Sequence, residues 1–236
     1  MGPRHGLRLI QSSSISLARK GGMFFESLAS SLKASDATIP PVVYPRGAVL
    51  FMEGQTGSGI FVVYSGQVKL STSSLGGKVI ILKIAEAGEL LGLPATLSGK
   101  PYEVTAEVSE DARASFIPRA AFLRFLCANP EAIMHVAQLL TDGHFAGHEV
   151  IQSLGLSRPA SERLARFLLS WSAHHAQGED SLRIGLTHEE IGEMIGASRE
   201  TVTRQLTIFK HRHLLTVKGT TINICNRVAL QSLARA

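Results

Sequence analysis

From Val42 to Ile117 the apolar side chains come in short clusters, broken at near-regular intervals by glycine. Ala48–Met52, Ile60–Tyr64, Val68–Thr72, Val79–Ile84, Val104–Val108 and Ala112–Ile117 are rich in β-branched and aromatic residues, the composition of strands. The glycines between them supply turns, so the pattern predicts a compact barrel or roll of short strands. The period then changes. Arg119–Ala128 reads as a short helix that stops before Asn129–Pro130. Beyond the proline, Ile133, Val136, Leu140, Gly143, Gly147, Val150 and Leu154 recur at alternating spacings of three and four, a coiled-coil-like seam of about three heptads. Two readings of that seam stand: a dimerisation helix, or a helix packed on its own domain. Gly143 and Gly147 each cost roughly 1 kcal/mol against alanine in a helix interior, and they leave room for a close helix partner or a ligand.

Gly155–Leu156–Ser157 breaks the long helix, with Ser157 as cap and Pro159 in the first turn of the next one. That helix carries an apolar stripe of Leu164, Phe167, Leu168 and Trp171. Further on, Thr187 and Glu190 have the spacing of a capping box, and Ile191, Met194 and Ile195 form one apolar face. Gly196–Ala197 reads as a tight turn, and Ser198 caps a second helix reaching about Lys210. Val202, Leu206 and Phe209 face inward on it, which puts Arg199, Glu200, Thr203 and Arg204 on or near its outer N-terminal face. Leu214–Lys218, Gly219 and Thr220–Cys225 then alternate like a β-hairpin. Two crossed helices followed by a hairpin make a winged helix-turn-helix, whose second helix enters the major groove of double-stranded DNA. Arginine suits guanine O6 and N7, and a carboxylate there suits cytosine N4. Arg199, Glu200, Thr203, Arg204 and Ser198 are therefore the candidate DNA-binding residues, with Lys218 and Arg212 placed for phosphate. The bland alternative is the solvated face of an ordinary surface helix.

These residues carry a resemblance. Ile191–Gly192 followed by Gly196–Ala197–Ser198–Arg199–Glu200–Thr201–Val202–Thr203–Arg204 resembles the DNA-binding signature of the Crp–Fnr regulator family. Tyr44–Pro45–Arg46–Gly47, Glu53–Gly54, Ser65–Gly66–Gln67–Val68 and Gly88–Glu89 resemble that family's β-roll, and the likeness extends over about residues 42–228. It implies an α+β protein: a cyclic-nucleotide-binding-like β-roll, a long dimerisation helix and a C-terminal winged helix-turn-helix. On this reading residues 1–40 are a tail with a short helical segment, 41–128 the roll, 129–155 the dimerisation helix and 156–236 the DNA-binding domain. It further implies a homodimer on an inverted repeat of TGTGA-like half-sites, base reading by Arg199, Glu200 and Arg204, and RNA polymerase as a partner. Activation versus repression and the target genes are not legible.

The family's cyclic-AMP contacts do not carry over. Where such members hold the ribose and the cyclic phosphate, this chain reads Gly92–Leu93 and Tyr102–Glu103, and the purine contact on the long helix falls near Gly147–His148. Leu93, Tyr102, Glu103 and Gly147 are thus the expected effector-pocket positions, and Glu103 would set a carboxylate against a phosphate, which costs several kcal/mol in a partly desolvated site. Cyclic AMP is not the expected ligand; Leu93, Pro94, Leu97 and Tyr102 suit a small apolar or aromatic molecule, or none.

Charge sharpens the picture only by its distribution. The net charge of +5 divides into +3 over residues 1–40, −2 over 41–156 and +4 over 157–236, so the basic C-terminal third suits a polyanion. The chain has 2 cysteines, Cys127 and Cys225, too few for an iron–sulfur cluster and consistent with reduced thiols in the cytoplasm. His144 and His148, spaced i, i+4, could reach one haem or metal ion, against the plainer reading of surface histidines; no metal site is assigned. No apolar run approaches the ~20 residues that span a bilayer. The first 25 residues lack acidic side chains and read as a tail, a presequence, or an over-long start with Met23 replacing Met1. An enzyme is not expected. His188–Glu189 opens like a zinc-protease helix, but Gly192 stands where the second histidine must be.

Overall fold

The computed structural model describes Leu28 and residues 40–74, 76–155, 158–175, 181–218 and 221–235. The chain divides into two compact units, Met1–Phe145 and Ala146–Ala236, the boundary falling inside the long helix. The first holds β1 (Val42–Tyr44), β2 (Val49–Phe51), β3 (Gly59–Ser73), β4 (Val79–Ala85), β5 (Leu90–Leu91) and β6 (Thr105–Pro118). Its helices are α1 (Leu93–Ser98), α2 (Arg119–Ala128) and the start of α3 (Pro130–Gly155). All pairings are antiparallel, in the order β1-β6-β3-β4, with β2 also on β6 and β5 on β3.

Two expected strand pairs prove to be single long strands. Ile60–Tyr64 and Val68–Thr72 join as β3, and Val104–Val108 and Ala112–Ile117 join as β6. The cause is Gly66, expected as a turn and found as a bulge: its φ is +81°, and the register against β6 shifts on either side of it. A Cβ there would stand 2.2 Å from the Asp111 carbonyl oxygen, so only glycine lets the two strands bend past each other.

Side chains alternate across β3 and build two cores. Ile60 and Val62 face Phe122, Phe125 and Leu126 of α2, with Leu93, Ala132, Val136 and Leu28. Phe61, Val63 and Val68 face Phe51, Tyr102, Ala106, Val108 and Ala114. This arrangement corrects part of the expected seam. Val136 is 3% exposed, covered by its own unit, and Leu140 is partly buried against the same cluster. Spacing alone could not reveal that the cluster shared by β3 and α2 takes in this side of the helix. Ile133 is 49% exposed and Met134, which the seam omitted, 67%. Gly143 has open space where a side chain would stand, while Gly147, Val150 and Leu154 lie outside the residues whose side chains are described.

The second unit holds α4 (Ala160–His175), β7 (Ser181–Arg183), α5 (His188–Ile195), α6 (Arg199–His211), β8 (Leu215–Lys218), β9 (Thr221–Ile224) and α7 (Arg227–Arg235). Leu164, Leu168, Ile191, Ile195, Val202, Leu206 and Phe209 are buried there, and Phe167 is half-buried with its ring 5.5 Å from that of Trp171. The expected Ser157 cap lies outside the described residues. No helix among the described residues is long and apolar enough to cross a membrane.

Candidate nucleic-acid interface

Local chemistry positions α5 and α6. Thr187 caps α5 through a complete capping box: its hydroxyl accepts from the Glu190 amide, and the Glu190 carboxylate accepts from the Thr187 amide at 2.8 Å. Gly196 ends the helix in the left-handed region at φ 66°, and the amides of Gly196 and Ala197 both donate to the Gly192 carbonyl. Gly192 is where the helices pass closest; a Cβ there would meet the Ala197 carbonyl oxygen at 2.6 Å. Ser198 then caps α6 by accepting from the Thr201 amide at 3.2 Å.

On α6, Val202, Leu206 and Phe209 are buried. Ser198, Arg199, Glu200, Thr203 and Arg204 are all exposed, as is Lys218 at the end of β8. The six expected DNA-binding residues thus lie in the same unit, and five of them cluster at the capped end of one helix. Glu200 is held below the usual carboxylate range, first by its own backbone amide, then by the Ser198 hydroxyl and the Arg199 charge. The hairpin of β8 and β9 pairs Leu215 with Ile224 and Lys218 with Thr221; its expected tip, Gly219 and Thr220, lies outside the described residues.

Sequence reasoning missed several supports. β7 adds a third strand to the wing by pairing with β9. Arg163 of α4 donates to the Arg158 carbonyl at 3.1 Å and to the Gly196 carbonyl at 3.4 Å, pinning the turn from behind. Glu162, 5% exposed, binds Arg158 and Arg166. His188 Nδ1 lies 2.9 Å from the Thr203 hydroxyl and links the two helices on the outer side.

Two of the expected effector positions, Leu93 and Tyr102, lie in different cores. Leu93 packs with Ile60 and Phe122, whereas Tyr102 stacks on Phe51 in the other core, 4.1 Å between ring centroids. The Tyr102 hydroxyl donates to the Gly59 carbonyl at 2.7 Å and accepts from the Gly59 amide at 3.2 Å. Glu103 is exposed, and Gly147 lies outside the residues whose surroundings are described. An open cleft of about 510 Å³ does touch Tyr102, between Tyr44, Leu50, Phe51, Phe61 and Phe116, but Leu93, Pro94 and Leu97 do not line it. His144 is exposed and the His148 side chain is not among those described.

Residues 162–233 match the Crp-like helix-turn-helix domain and residues 41–129 the cyclic nucleotide-binding domain. The fumarate and nitrate reduction regulatory protein of Shigella dysenteriae is 30% identical over 192 residues, 80% of this chain and 76% of that protein. The chain belongs to the Crp/Fnr family. A second member, the CRP-like cAMP-activated global transcriptional regulator of Mycobacterium tuberculosis, is 27% identical over 92% of this chain and 97% of its own length. The structure of FixK2 from Bradyrhizobium japonicum shares the fold, with a TM-score of 0.75 over 83% of this chain and 97% of that one, at 21% identity. Like its Crp/Fnr relatives, this protein is a transcription regulator with a DNA-binding helix-turn-helix, and not an enzyme.

Proposed function

We infer that the protein acts as a homodimer in the cytoplasm, binding an inverted repeat whose half-sites resemble TGTGA, with RNA polymerase as its partner. Arg199, Glu200, Thr203 and Arg204 meet base edges in the major groove, while Ser198 and Lys218 contact phosphate. The observation that carries this reading is the exposure of Arg199, Glu200, Thr203 and Arg204 at the capped N-terminal half of α6, held by a helix packed too closely to shift freely. Dimerisation runs through α3, where Ile133 and Met134 offer exposed apolar side chains and Val136 does not.

The effector is not cyclic AMP. The Tyr102 hydroxyl is committed to Gly59, Leu93 is turned into the opposite core, and Glu103 would repel a phosphate, so these positions suit neither ribose nor cyclic phosphate. The aromatic cleft beside Tyr102 suits a small apolar or aromatic molecule better.

Fluorescence anisotropy on an inverted TGTGA duplex and a scrambled control, with and without cyclic AMP and across a salt series, tests the reading. Specific binding that weakens steeply with salt and ignores cyclic AMP is the expected result. Binding that appears only with cyclic AMP would overturn the effector assignment. Salt-insensitive binding without sequence preference would overturn the DNA-contact assignment.

A further inference from the structure

Thr203 is exposed on the row of α6 that begins at Arg199, one turn deeper along the helix. A threonine hydroxyl has one proton to give and two lone pairs. Here Oγ1 lies 3.0 Å from the Arg199 carbonyl oxygen, one helical turn back, and 2.9 Å from His188 Nδ1 on α5. If the proton goes to the carbonyl, the imidazole Nδ1–H must be the donor on the other side. If the proton goes to Nδ1, it is equally spent inside the protein. In both arrangements the hydroxyl is tied back toward the protein and has no proton left for a base. With the hydroxyl so committed, the γ-methyl is what this exposed side chain has left to offer a partner.

We propose that Thr203 is a thymine-selective residue that meets DNA with its γ-methyl group, and that His188 is the positioning residue that holds its hydroxyl away from the bases. This rests on α6 being the recognition helix. In the major groove, thymine alone among the four bases presents a methyl group at C5, the complement of an apolar side-chain tip. His188 is held in turn at the first turn of α5, directly after the Thr187 cap, so its ring position is set by the same capping box that starts the helix.

The test uses the full chain on its best-bound duplex from a randomised inverted-repeat pool, replacing each thymine in turn by deoxyuridine, which removes only the methyl. One position per half-site should weaken binding about fourfold, the value of one buried methyl-sized group. Thr203→Ser, which keeps the hydroxyl and loses the methyl in both protomers, should bind about sixteenfold more weakly, about fourfold per half-site, and no longer distinguish thymine from deoxyuridine there. Thr203→Val, which keeps the methyl, should retain both affinity and discrimination. His188→Ala should lower the discrimination ratio toward one, and His188→Asn, whose Nδ2 stands near the place of the imidazole Nδ1, should restore it. Equal binding of thymine and deoxyuridine at every position would overturn the proposal, as would discrimination kept by the serine variant and lost by the valine one. An unchanged ratio in His188→Ala would overturn the positioning role. If the unsubstituted protein shows no salt-sensitive, sequence-dependent binding to any duplex of the pool, the recognition-helix reading itself fails, and that outcome differs from all of the others.

Discussion

Replacing Gly192 by alanine adds a single methyl group, and the structure says where it goes. The new Cβ would stand 2.6 Å from the Ala197 carbonyl oxygen, 3.4 Å from the Ser198 carbonyl carbon and 3.5 Å from that of Ala197. All three are backbone atoms of the turn, so no side chain can swing aside. Restoring ordinary contact requires the turn to retreat by roughly half an ångström or more, against the optimum for carbon contacts near 3.5 Å. The turn is held by the Gly196 and Ala197 amides on the Gly192 carbonyl and by Arg163 on the Gly196 carbonyl. Overpacking of this kind costs about 1–3 kcal/mol, while alanine gains about 1 kcal/mol over glycine in a helix interior. The net loss is thus up to about 2 kcal/mol, which for a unit of this size lowers its unfolding midpoint by up to roughly 8–16 °C. Trp171, the 1 tryptophan of the chain, lies in the same unit, so its fluorescence reports that transition alone. Because the displaced turn carries α6, specific DNA binding should fall more than stability does when both are measured well below the midpoint. A Gly192→Ala protein with unchanged midpoint and unchanged specific affinity would refute the close-packing argument.

Other consequences are direct. Arg204→Ala should cost about 1–3 kcal/mol of specific binding and relax preference at one base pair of the half-site, read by anisotropy against single-base operator variants; uniform weakening across all variants would reassign Arg204 to phosphate. Ile133→Glu should shift sedimentation toward monomer without unfolding the roll, because the side chain is half-exposed, whereas Val136→Glu should destabilise the N-terminal unit, where that side chain is buried. Glu200 has a lowered folded-state value, so its charge is present above the ordinary carboxylate range and is lost only as pH falls through the lowered value. Base preference that depends on Glu200 should therefore stay constant from pH 7 to about pH 5, and an onset of loss above that would contradict the assigned environment.

The DNA-binding half was legible because its determinants are local. Thr187 and Glu190 are three residues apart, Gly192 and Ala197 five, Ser198 and Thr201 three, and each interaction closes within one or two turns of chain. What escaped the reading depended on distant partners. β7 exists because Ser181–Arg183 meets Thr221–Asn223, and nothing within the short segment itself announces a strand. Arg163 reads as a surface cation until Gly196 arrives beside it from another helix.

In the roll the same limit changes what a glycine means. Gly66 and Gly88 both have positive φ, but Gly66 continues a strand while Gly88 lies in the turn before β5. The difference is made by Asp111 and Ala112, which lie against Gly66 from β6 and hold the bent strand in its sheet. Local pattern therefore found the longer strand clusters, missed the short β1 and β5, and misjudged the continuity of β3 and β6. It also ordered Leu93 and Tyr102 correctly along the chain without fixing their directions, and those directions decide the effector question. Leu93 opens α1 and faces the helices, while Tyr102 lies beyond α1 and reaches back to Gly59 on the other side of β3. Two residues that a linear alignment places in one pocket are thus separated by a strand, and a ligand contacting Tyr102 would do so among Phe51, Phe61 and Phe116, without Leu93.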